Sequence, residues 1–343
     1  MTRREAWSLA ALAAALCAAF VLSLALGSTA IPPRRVFEAL AGIGGPEDRA
    51  IIVAVRLPRA LTAMLAGAAL GIAGLQMQTL FRNPLADPFA LGVSSGASLG
   101  VALVVLGTGS IAGIFGATTG LAGDALITAA AIAGAGSVLV LVLAVSSHIN
   151  DATVVLIFGL MLGYAVSACV TVLVGASAPE RLQQWAQWGL GSFSGVTWSR
   201  LRLFGAVTVA GLAVAAVTPK QLNALLLGDH YARSMGLAVG RVRVVTMAGA
   251  SVLAAVVTAF CGPISFIGIA VPHLCRGLIG TGDHRVAVPA VLLMGAAVAL
   301  LAQTVSVLPG DGAILPLNAV TALVGAPTVV VVLMRRRQQG AHA

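Results

Sequence analysis

The side chains that could do covalent chemistry in this chain are few and badly spaced for it. Lys220 is the single lysine, and no GxxxxGK[ST] surrounds it, so this polypeptide builds no P-loop for nucleotide hydrolysis. There is no HExxH, no GxSxG and no pair of carboxylates inside an apolar run. Cys17, Cys169, Cys261 and Cys275 lie within or at the edge of apolar segments and form no CxxC, which argues against a disulfide framework or a metal site. His273 follows Pro272, and Arg276 three residues on shares its helix face. The pair reads as a structural helix end rather than a coupling site, and not as a metal ligand. Buried ionisable groups that would mark a proton or ion pathway are almost missing from the apolar runs. No catalytic residue, metal or cofactor is expected, and any energy input must come from another chain.

The polar residues with informative spacing frame one segment, 56–100. It opens with Arg56 and Arg59 beside Pro58, then runs from Ala60 to Leu80 without a charge. It breaks at a turn in which Pro84 and Pro88 flank Asp87, and restarts on Gly92, Gly96 and Gly100. About twenty apolar residues are what a bilayer core requires of a helix. Small residues four apart, including Gly67 and Gly71 in the preceding run, let a second helix approach to backbone contact. The segment reads as a tightly packed membrane hairpin with its polar chemistry at the two ends.

The rest of the chain must position that hairpin, and it has the same character. Of 343 residues, 59% are hydrophobic and 9% charged, against roughly 25% charged in a soluble domain. Mean hydropathy is +1.02. Ten apolar spans are predicted near 6–27, 60–80, 90–107, 123–146, 153–175, 201–217, 244–261, 264–280, 286–306 and 315–334. The expected fold is all-α: a polytopic membrane protein of ten transmembrane helices, residues 1–343 forming one integral membrane domain. The run from Ala6 to Leu26 is too long for a secretory leader and reads as the first span.

The net charge of +9 sits at the ends of apolar runs, which is membrane topology and not a nucleic-acid stripe. With both termini cytoplasmic, 12 of the 20 basic residues fall on the cytoplasmic side, a modest vote for that orientation. The opposite side owes its arginines mostly to one long loop, 28–59. The other long connection is 218–243. Within it, Gly228 is expected to end a short helix in the left-handed conformation, Asp229 to cap a second, and Gly236 to end that one. Leu222, Leu225, Leu226, Tyr231 and Met235 give the pair an apolar face too small for a core of its own. The loop therefore either lies back on its own bundle or docks a cytoplasmic partner. Trp185, Trp188 and Trp198 fit an interfacial belt or a pore mouth equally well.

Five blocks in order carry a resemblance, the first made of three short motifs. RLPR at 56–59, NPLADP at 83–88, GVSSGA at 92–97, WGLGSFSGVTW at 188–198, LLLGDHYARSMGL at 225–237, GPISFIGIAVPHLCRGLIGTGDHR at 262–285 and LPLNAVTALVGAP at 315–327 together resemble the permease subunits of bacterial ATP-binding-cassette importers for iron–siderophores, haem and cobalamin, of the type II class. The likeness runs from about residue 50 to residue 335. It implies a homodimer of ten-helix permeases enclosing a central path, two ATPase subunits that bind ATP and Mg, and an extracytoplasmic substrate-binding protein. It implies alternating access in the inner membrane without chemistry on the substrate.

The same resemblance implies residue roles. Arg56 and Arg59 would pair with glutamates of the binding protein. Asn83, Leu85, Ala152 and Thr153 would form the cytoplasmic gate. Leu225, Leu226, Gly228, Asp229, Ala232, Arg233 and Gly236, in coupling helices at about 220–240, would meet the ATPase. Two departures stand out. Many relatives carry an Asp and, four residues on, an Arg where this chain has Gln303 and Val307, so docking would rest more on Arg56 and Arg59. Asn318 stands where many relatives have glycine. An iron–siderophore is the first expectation for substrate on family frequency, with cobalamin or haem as alternatives. An ATP-independent channel or carrier and a membrane assembly subunit are the readings from other classes.

Overall fold

Ten helices carry the apolar runs of the computed structural model, which describes residues 2–107, 120–149, 151–307 and 315–340. They are α1 (Arg3–Ala25), α2 (Leu57–Leu80), α3 (Val93–Val105), α4 (Gly120–His148) and α5 (Ala152–Gly175). The second half supplies α6 (Trp198–Ala216), α7 (Val239–Cys261), α8 (Ile267–Ile279), α9 (His284–Val307) and α10 (Leu317–Gly340). Seven of the runs are long and apolar enough to cross a membrane, and α3, α8 and α10 are shorter apolar helices. No strand occurs among the described residues. Each helix falls on an expected span, with α7 starting five residues early and α10 ending six late, and the exception is the helical stretch from Pro46 that runs into α2.

That exception corrects the sequence reading. The loop expected at 28–59 is largely helical: Pro33–Leu40 forms one short helix, and from Pro46 the chain runs helically into α2. Pro46 is preorganised for a first helical position, and Glu47 and Asp48 complement the positive end of the helix. Charge hid this helix from a reading based on hydropathy. Residues Ala50–Arg56 widen into a π-turn before α2 begins. Arg35 on the preceding short helix pairs with the nearly buried Asp48 at 2.6 Å.

The chain divides into two compact units. One comprises 1–75, 192–219 and 264–343, and the other 76–191 and 220–263, so the division cuts α2 after Leu75. In the first unit α9 packs on α1 and α8, and α8 also touches α10. Thr2 and Glu5 start α1 with a reciprocal capping box. Gly67 of α2 faces Gly295 of α9 so closely that a Cβ on either would overlap the other's carbonyl. Gly71 lies against the side chains of Val291 and Val271. Where lipid gives apolar faces no reason to associate, such backbone proximity is what joins helices.

In the second unit α3 packs on α4 and α5, and α4 on α7. Gly96 and Gly100 meet α4 at the carbonyls of Gly134 and Ala130. Gly92 does not continue that ladder. It precedes α3 at φ 78°, where its missing side chain admits Gly159 and Gly163 of α5. The three glycines four apart thus serve two helices, because the helical period begins only after Gly92.

Candidate functional site

Two clusters of polar groups stand out, one in each unit, and both are built on arginine. In the first unit Arg56 closes the π-turn and is nearly buried. Its Nη1 donates to the carbonyls of Leu24 at 2.7 Å and Ala25 at 2.9 Å, and its Nη2 to the carbonyl and hydroxyl oxygens of Thr29. Leu24 and Ala25 end α1, where carbonyls lack intrahelical partners and carry the negative end of the dipole. Arg56 therefore caps α1 from 31 residues away. Gly27 leaves it room, since a Cβ there would lie 2.9 Å from Nη2.

Arg59, three residues on and half-buried, is held differently. Its Nε is buried and meets no acceptor among the described residues. With Arg56 it lines a cavity of about 420 Å³, together with Ser28, Thr29, Gln303 and Val307. No carboxylate occurs among the described residues of that lining. The two positions where relatives were expected to carry Asp and Arg are thus both at this cavity, filled by a buried amide and an apolar side chain.

The second cluster gathers residues far apart in sequence. Arg82 Nη2 donates to Asp229 Oδ1 at 2.6 Å, and Arg243 Nη2 donates to Asp229 Oδ2 at 2.7 Å. The three side chains line a cavity of about 560 Å³ with Asp151, Ala152 and Thr153. Asp151 caps α5 by accepting the N–H groups of Thr153 and Val154, which fixes Ala152 and Thr153 as the first residues of that helix. Asn83 and Leu85 stand in the adjoining turn, where Asn83 Oδ1 accepts the Leu85 N–H at 3.0 Å. Asp87 accepts the Phe89 N–H at 2.8 Å. Burial pushes the Asp87 carboxyl up to about 6, and that hydrogen bond pulls it the other way.

The helices Pro219–Leu226 and Asp229–Ser234 form where expected, with one correction. Asp229 does not cap the second helix. It occupies the first helical position, and its carboxylate turns to the two arginines, a stronger pairing than a backbone N–H offers. Gly228 also differs: at φ 109° and ψ 151° it is extended rather than left-handed helical. Gly236, at φ 83°, follows the second helix. Leu222, Leu225 and Ala232 are buried, whereas Leu226, Leu227, Tyr231 and Met235 are exposed and Arg233 lies among them on the surface. The apolar residues of this segment thus divide between two faces.

Of the other polar residues, His273 Nδ1 lies 3.0 Å from Arg276 Nη2 within α8. Trp198 Nε1 donates to the carbonyl of Val53 at 2.9 Å, which ties α6 to the π-turn in the first unit. Sequence reasoning did not single out Arg82 or Arg243 as site residues. The available signal was that Arg82 is the one basic residue in the turn after α2.

The described residues form an all-helical membrane bundle with several helices long and apolar enough to span a bilayer. Residues 15–335 match the FecCD transport family, and the chain belongs to that family. It is 35% identical over 321 residues to the vitamin B12 import system permease protein BtuC of Klebsiella pneumoniae subsp. pneumoniae, covering 93% of this chain and 91% of that protein. The protein of the same name from Citrobacter koseri is 34% identical, covering 98% and 96%. A solved metal-chelate type ABC transporter in an inward-facing conformation superposes with a TM-score of 0.83 at 28% identity, over 95% of this chain and 98% of that one. The chain is thus the permease subunit of an ATP-binding-cassette importer and a multi-pass protein of the inner membrane.

Proposed function

We propose that this permease moves a metal chelate inward by alternating access, with cobalamin the first candidate and an iron–siderophore the second. The observation that carries the choice is the vitamin B12 import name on relatives alike along nearly their whole length. An iron–siderophore led on family frequency alone, and those relatives move the weight to cobalamin. Haem is the third member of the class.

In this reading two copies form a homodimer around the path, with both termini cytoplasmic. Two separate ATPase subunits bind ATP and Mg and dock below the exposed Leu226, Leu227, Tyr231 and Met235. That face is largely apolar and lies on and beside short helices outside the spans. Asn83, Leu85, Ala152 and Thr153 form the gate at the same end, and Asp229 lines a cavity with the last two. At the other end Arg59 faces the extracytoplasmic binding protein, with Arg56 holding the loop that presents it. The work is mechanical: closure of the ATPase pair repacks helices joined at glycine contacts, and no bond of the substrate is made or broken.

The test is uptake by proteoliposomes that hold the permease with the ATPase and binding protein encoded beside its gene. Radiolabelled cyanocobalamin and a ferric hydroxamate are offered with and without internal ATP. ATP-dependent accumulation of cyanocobalamin is expected. Accumulation of the hydroxamate alone moves the substrate to the siderophores, and accumulation without ATP overturns the importer reading in favour of a carrier.

A further inference from the structure

Asp229 joins two arginines of unlike standing. The Arg243 side chain is 6% exposed, and that of Arg82 is 48% exposed, while each donates to a different oxygen of the one carboxylate. Arg243 belongs to α7 and Arg82 to the turn after α2, so Asp229 ties the short helix Asp229–Ser234 to both. A charge pair with one buried partner is costly to break, because the sealed guanidinium loses its counter-charge. An exposed pair opens and closes at little cost. Arg82 can let go of Asp229 while Arg243 keeps it neutralised.

The backbone around Arg82 is shaped for a moving part. Arg82 adopts φ 46°, a conformation that residues with a side chain seldom take. Its guanidinium passes Gly228, where a Cβ would lie 4.0 Å from both Nη atoms. The turn that follows is made rigid by the Asn83 and Asp87 side chains, each accepting a backbone N–H two residues on. A stiff turn on a strained residue moves as one piece. The cavity of about 560 Å³ beside it gives room for that movement, and Ala152 and Thr153 form part of its wall.

We propose that Arg82 is a positioning residue: its bond to Asp229 carries displacement of the 219–234 helices to the 81–87 turn, with Arg243–Asp229 as the fixed anchor. This rests on the importer reading above. Breaking the link uncouples the two ends of the machine without detaching them.

The experiment uses the complete complex in proteoliposomes, with radiolabelled cyanocobalamin and a ferric hydroxamate as probes. ATPase co-purification and chelate imported per ATP hydrolysed are measured for the wild type, Arg82→Gln, Arg82→Lys and Asp229→Asn. In Arg82→Gln the ATPase is expected to co-purify as in the wild type while chelate imported per ATP falls about tenfold, the size of a typical coupling between sites. Arg82→Lys, which keeps the charge, restores at least part of the loss. Unchanged import per ATP in Arg82→Gln overturns the link. So does loss of ATPase co-purification, which makes Arg82 a docking residue. Failure of the wild-type complex to import either chelate with ATP sinks the importer reading, and the link with it.

Discussion

Arg56 and Arg243 are both nearly sealed from solvent, at 7% and 5% exposure, yet different oxygens meet their guanidinium groups. Arg56 is surrounded by backbone carbonyls at the end of α1 and by Thr29. Arg243 shares a carboxylate with Arg82. Carbonyls belong to the main chain and cannot be moved, deprotonated or mutated away, so Arg56 is a fixture. A carboxylate sits on a side chain that a second cation can share or release, so the Asp229 cluster can have two states. The same residue type thus serves rigidity in one unit and adjustable linkage in the other.

Four substitutions test this contrast, and the largest effect is expected at Asp229. Asp229→Ala takes the carboxylate from buried Arg243 and should cost about 3 kcal/mol, already discounted for the partial exposure of Asp229. Thermal unfolding of the purified protein measures it, and a loss under about 1 kcal/mol contradicts the need for a carboxylate. Arg56→Gln should cost about 2 kcal/mol by leaving the last carbonyls of α1 without their charged donor. Because carbonyls do not titrate, that cost should not change between pH 5 and pH 8, roughly the window in which histidine titrates.

Asp87→Asn comes next, with a sign that depends on pH. Burial raises the native carboxyl from 3.8 to about 6, so the native state holds its proton longer than the unfolded chain does. Stability from this group is fully present below the unfolded value and is lost as pH rises through about 6. The variant should therefore exceed the wild type by up to about 3 kcal/mol well above pH 6 and match it at low pH. Equal pH profiles for the two proteins would count against the buried setting of this carboxyl. Smallest is Arg59→Gln, expected to change stability by less than about 0.5 kcal/mol because its Nε makes no bond among the described residues. Its effect should fall on binding-protein affinity instead, and pull-down with that protein separates the two.

The spans were readable in the sequence because a bilayer imposes one dominant rule: seven of the expected runs are helices long and apolar enough to cross it, and three are shorter apolar helices. What escaped were features that depend on a distant partner. Asp229 satisfies the local rule for a helix cap, and Arg243, 14 residues on, and Arg82, 147 residues away, override it together. Arg56 looked like the twin of Arg59 because its acceptors are carbonyls, which every residue has and no sequence displays. The helix from Pro46 was missed for a different reason: its charged first turn looks like loop when hydropathy alone is weighed. Gln303 and Val307 were legible as departures, yet their position on the Arg59 cavity required the fold.

The π-turn at Ala50–Arg56 has a consequence for chain length. Such a turn holds one residue more than an α-helical turn. Removing one residue there would let the segment close as regular α-helix with its two flanks near their present phase, whereas removing one from an α-helical turn rotates one flank by about 100° against the other. Members of this lineage should therefore tolerate the loss of one residue within Ile51 to Val55 far better than a one-residue deletion inside α2.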